Sequence, residues 1–186
     1  MISGLDIARS VAHHYKAHWQ LAVKSAGLNA YLERETNYEN TVSTSVFTLA
    51  IISAAQDFQY GALTEYDIVP SITRNSKKDP VDIVWVTELP NKPATREASL
   101  SRKIVLGSEI EMGDNQLRAI NRLAKLDDIL RFGSASEPWK MLCTWKPFSS
   151  FQYLLPTTRD KWIFLTEEPG GWLRYYDGTG QSEPVP

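Results

Sequence analysis

Val81-Asp82-Ile83-Val84-Trp85-Val86 and Lys103-Ile104-Val105-Leu106-Gly107-Ser108-Glu109-Ile110-Glu111 are the stretches that decide the architecture. The first is a short apolar run broken by one acid, which reads as a strand with much of both faces buried. The second is its neighbour, with two carboxylates at its end. Strands of this kind belong inside a sheet, so the flanks have to supply covering helices. Downstream, Gly113-Asp114-Asn115 is a turn, and a helix is expected from about Gln116 to Phe132. Its buried face would be Leu117, Ile120, Leu123, Ala124 and Leu130. Met141 to Trp145 is a further strand. Upstream, Tyr66 to Thr73 reads as a strand kept at an edge or bulge by Pro70. Leu89 to Ser101, with two prolines and several charges, reads as an exposed loop.

Two helices precede these strands. From about Leu5 to Tyr31, Val11, Tyr15 and Trp19 recur at four-residue spacing. The second is expected from Thr36 to Asp57, opened by the capping box Thr36-Asn37-Tyr38-Glu39, with Val46 to Ala55 buried. At the other end, Trp162–Leu165 and Trp172–Tyr176 flank Pro169-Gly170-Gly171 and read as a hairpin. The expectation is one mixed α/β domain over residues 1–186, with helices on both faces of a central sheet.

Bulk properties exclude several classes. With 42% hydrophobic and 23% charged residues, the chain is too apolar for disorder. No apolar run approaches the roughly 18 residues of a membrane span, and no secretory signal pattern is visible, so a soluble cytoplasmic protein is expected. One cysteine, Cys143, precludes an internal disulfide and a zinc cluster. A net charge of −2 argues against strong non-specific nucleic-acid binding. The distribution is uneven, with Arg74, Lys77, Lys78, Lys92, Arg96, Arg102 and Lys103 lying among Asp79, Asp82, Glu88 and Glu97. A local basic patch and a solvated loop of mixed charge both fit that count.

The acids carry the chemistry. Residues two apart on a strand share a face, so Glu109 and Glu111 project together, with Asp82 on the preceding strand. Like charges side by side repel, and burying them is costly. A divalent ion relieves both penalties, because Mg²⁺ prefers hard oxygen ligands. It also lowers the pKa of bound water and can polarise a phosphodiester. Two carboxylates at an exposed strand end, facing water, are the plainer explanation.

With Asp82 in Val81-Asp82-Ile83-Val84, Glu109-Ile110-Glu111 on the next strand and Asn121-Arg122-Leu123-Ala124-Lys125-Leu126 in the helix after it, the chain resembles the PD-(D/E)XK nuclease superfamily. The resemblance spans about residues 31–145, in a variant with Glu-x-Glu in place of (D/E)-x-K. It implies a restriction-endonuclease-like core with an added N-terminal helix and an aromatic C-terminal extension over 146–186. The activity implied is Mg²⁺- or Mn²⁺-dependent endonucleolytic hydrolysis of DNA, with a symmetric homodimer as a plausible assembly. Asp82 and Glu109 would be metal ligands, and Glu111 would hold the attacking water or a second ion. Glu39 would be an outer ligand, a role that competes with its place in the capping box; Glu35 is the other candidate. Lys125 would bring positive charge toward the scissile phosphate. Three departures accompany the match. Pro80 lies two residues before Asp82, Glu111 stands where lysine is usual, and the segment between Asp82 and Glu109 is long.

Two other functions are compatible with these residues. One is a catalytically inactive nuclease fold that binds nucleic acid or regulates a partner. The other is a protein-interaction module using the aromatic C-terminus. His14 and His18 have the i, i+4 spacing of a zinc pair but lack a third ligand, so they read as structural or surface residues. Cys143 reads as a buried, inert thiol. Trp162, Trp172, Tyr175 and Tyr176 could stack on bases, although packing against the domain or a partner subunit is the preferred reading.

Overall fold

Burial along the strands divides the molecule into two cores, one on each side of a single sheet. The computed structural model describes residues 2–26, 37–66, 81–87, 104–112, 121–122, 126, 138–145, 149 and 161–186. The elements are α1 (Gly4–Ala26), α2 (Asn37–Asp57), β1 (Gly61–Tyr66), β2 (Val81–Val86), β3 (Ile104–Glu111), β4 (Trp139–Thr144), β5 (Trp162–Glu168), β6 (Trp172–Asp177) and β7 (Ser182–Val185). All seven strands form one sheet in sequential order. β3, β4 and β5 run parallel, and the remaining pairs are antiparallel. The protein is thus mixed α/β, as expected.

One face packs on the two helices. Ile83, Trp85, Leu106, Ile110, Met141, Cys143, Ile163 and Leu165 meet Ile7, Val11 and Tyr15 of α1 and Phe47, Ile51 and Ala54 of α2. Both helices show buried residues three and four apart, the periodicity of one apolar stripe. Trp85 ties sheet to helix by donating its indole N–H to the Ile51 carbonyl at 3.1 Å. The opposite face collects Val84, Val86, Ile104, Leu142, Trp162 and Phe164, covered by Leu126. Leu126, Asn121 and Arg122 are helical and lie on the connection from β3 to β4. Parallel strands require such a crossover. Of the helix expected over 116–132, the other residues lie outside the described ones, and so do the turn at 113–115 and the loop at 89–101.

Three boundaries differ from expectation. The strand expected at Tyr66–Thr73 begins earlier, pairing Gly61 with Val86 through to Tyr66 with Val81; residues 67–80 lie outside the described ones. The cause is the end of α2. Gln59 adopts φ 60°, and the Tyr60 amide donates back to the Ala55 carbonyl at 2.9 Å, closing the helix in a Schellman-like cap. The chain leaves this cap already alongside β2, with Phe58 and Tyr60 against the Trp85 ring. The second difference is a capping box at the start of α1. The Ser3 hydroxyl accepts from the Asp6 amide at 3.1 Å, and the Asp6 carboxylate accepts from the Ser3 amide at 3.2 Å. The box expected at Thr36 to Glu39 lies outside the described side chains. The third is β7, an edge strand bearing Pro184 where a missing N–H costs no ladder bond.

The C-terminal segment is part of the sheet. β5 pairs with β4, and β6 with β5 around Pro169-Gly170-Gly171, so 161–186 supply three of the seven strands. Trp162 is buried, while Tyr175 and Tyr176 pack against the two cores. Trp172 is 43% exposed, with the Lys16 ammonium 3.7 Å from its ring centroid. Among the described residues, no helix is long and apolar enough to cross a membrane.

His14 and His18 join the helices. His14 Nε2 lies 3.0 Å from Asp57 Oδ2, which also accepts from Ser10 at 2.6 Å, and His18 Nε2 lies 3.2 Å from the Ser53 hydroxyl. The Ser10 hydroxyl, assisted by His14, holds the Asp57 carboxyl below its ordinary value. A depressed carboxyl stabilises the fold above its unfolded pKa of about 3.9, and that contribution disappears as pH falls through the folded value. Asp57→Asn should therefore lower stability by about 0.5 kcal/mol near neutral pH. Urea midpoints of the two proteins should converge in acid; a constant gap would reject this account. At the hairpin, Gly171 has φ 76°, and a Cβ there would stand 2.5 Å from the Trp19 ring. Gly171→Ala should cost about 2 kcal/mol in urea unfolding, from backbone strain and overpacking together. An unchanged midpoint would show that the hairpin tip is not seated on α1.

Candidate functional site

The alternation that buries Ile83 and Ile110 toward the helices turns the intervening residues to the other face. Ile83 is paired with Ser108, so the next step in that register sets Asp82 beside Glu109. β3 carries one extra residue near Val105, where the register shifts and returns Ile104 to the same side as Val86. The bulge is at the opposite end of β3 from the acids. It lets that strand bury apolar residues at one end while presenting Glu109 and Glu111 at the other.

Asp82, Glu109 and Glu111 meet on a single guanidinium. Arg122 Nη1 donates to Asp82 Oδ1 at 3.0 Å and Oδ2 at 2.9 Å, and also to Glu109 Oε2. Its Nε lies 3.3 Å from Glu111 Oε2. Asp82 is fixed from a second direction, because its Oδ2 accepts the Ile110 amide at 2.8 Å. The Glu109 side chain has no exposed surface, whereas that of Arg122 keeps 17%. Burial alone would lower the Arg122 pKa; the charges and hydrogen bonds of Asp82 and Glu109 reverse this and hold it above its ordinary value.

The sequence therefore identified the three acids and missed their cation. The missed signal is helical spacing. Leu126 is buried in the core on the acidic face, and Arg122 lies one turn earlier, so both look toward the same side of the sheet. Leu126, the marker of that face, is not among the apolar residues Leu117, Ile120, Leu123, Ala124 and Leu130 that the sequence assigns to the helix's buried face. Lys125 and Glu35 lie outside the described residues. Glu39 is in α2, but its side chain is not among the described ones. Its helix places it one turn before Ser43, whose hydroxyl donates to Glu167 at the end of β5 at 3.2 Å. The head of α2 is consequently at the sheet end where Glu111, Thr144 and Thr166 lie in register.

As donors, three carboxylates from adjacent strands are the hard oxygen set that Mg²⁺ accepts. Their oxygens here are directed at Arg122, and among the described residues no group of three or more His, Cys, Asp or Glu side chains is arranged to hold a metal ion. Cys143 is on the helix-covered face, where burial pushes its thiol well up and leaves it protonated. Comparison with family models, curated proteins and solved structures gave no match.

Burying Glu109 is tolerable because a charged donor meets it. Removing one partner of such a pair typically costs about 3–5 kcal/mol. Arg122→Met should lower unfolding free energy by about 3 kcal/mol. Combined with Glu109→Gln, it should cost less than the sum of the single changes by about 1–3 kcal/mol, a coupling read from a double-mutant cycle in urea. Strict additivity would mean that the contact carries no energy.

Proposed function

We propose that the protein is a metal-dependent phosphodiesterase of the PD-(D/E)XK type, hydrolysing DNA at the face that carries Asp82, Glu109 and Glu111. The observation that carries this reading is that one cation, the Arg122 guanidinium, reaches all three carboxylates at once. Acids that meet on one guanidinium lie in one neighbourhood, and they would have to turn from Arg122 and draw closer to share a smaller ion. The element order supports it too: α2, then β1, β2 with its Asp, β3 with Glu-x-Glu, helical residues, and β4. This is the order that the resemblance calls for, and it makes a restriction-endonuclease-like core the finer reading of the α/β fold.

In this reading Asp82 and Glu109 hold Mg²⁺ or Mn²⁺, with Glu111 beside them and Glu39 as an outer ligand at the head of α2. The bound ion would supply a water of lowered pKa and a positive charge for the phosphate. The protein's part is positioning. The Ile110 amide orients Asp82, the dry surroundings of Glu109 strengthen its field, and Lys125 offers charge to the scissile phosphate. Double-stranded DNA is the proposed substrate, cut by a symmetric pair of chains.

A second reading draws on the same guanidinium. If Arg122 permanently replaces the metal, the chain is an inactive nuclease fold that binds nucleic acid or regulates a partner. Incubation of plasmid and duplex oligonucleotides with Mg²⁺ or Mn²⁺ decides between them. Cleavage should appear with the parent protein and fall by at least about 100-fold in Asp82→Ala and Glu109→Ala, in line with the loss of metal-held water chemistry. Equal cutting by folded variants would place the activity elsewhere. No cutting by the parent, together with no heat on Mn²⁺ titration, would leave the inactive fold.

A further inference from the structure

We draw no further inference here: the strongest candidate, the buried side-chain cluster of Lys140 on β4 and Trp162 on β5, with the Lys140 ammonium 4.7 Å from the indole centroid and the Trp162 N–H lacking a hydrogen-bond partner, carries nothing because nothing among the described residues shows what covers it.

Discussion

The Glu109 carboxylate has no exposed surface although it stands near the end of β3, and much of the structure answers that constraint. An isolated charge there would cost several kcal/mol. Asp82 on the neighbouring strand and Glu111 two residues on add like charge, and the answer is Arg122 from the crossover, which reaches all three carboxylates. Leu126, one turn beyond Arg122, seals the same region with Leu142 and Phe164. The crossover segment therefore does two jobs with one helical face. It caps an apolar core with a leucine and an acidic one with a guanidinium.

That division explains how β2 and β3 are both apolar strands and carriers of charge. Toward α1 and α2 they present Ile83, Trp85, Leu106 and Ile110, an ordinary close-packed interior. Toward the other side they present Val84, Val86 and Ile104 at one end and three acids at the other. A single sheet surface is thereby dry at one end and ionic at the other. Asp82, held by the Ile110 amide as well as by Arg122, is the hinge between the two regimes.

Legibility in the sequence followed the range of the interactions. β2 was readable because its run of β-branched residues is local, and the shared face of Glu109 and Glu111 follows from a period of two. The pairing of Asp82 with these acids was accessible because the strands are neighbours in order. β1 begins at Gly61, ahead of Ile68 and Val69, which look more strand-like than Gly61 and Ala62. What selects Gly61–Tyr66 is the left-handed cap at Gln59 and residue-by-residue pairing with β2, neither of which is a propensity. The C-terminal hairpin was visible in its turn, but its role as the continuation of the sheet was not. Parallel pairing of β4 with β5 joins segments that no local pattern connects.

Arg122 lies three residues before Lys125 in the same basic stretch, and sequence alone does not separate the two. Along a helix, a lysine and an arginine three residues apart look interchangeable as sources of positive charge. They differ in what a site can do with them. A guanidinium presents several donors in a fixed plane and serves three carboxylates together, whereas an ammonium is a compact, strongly hydrated point charge. Three acids converging in a nearly dry pocket therefore call for arginine. The same fork geometry lets Arg122 join the crossover to both β2 and β3 through one side chain, which an ammonium could not do with as many directed contacts.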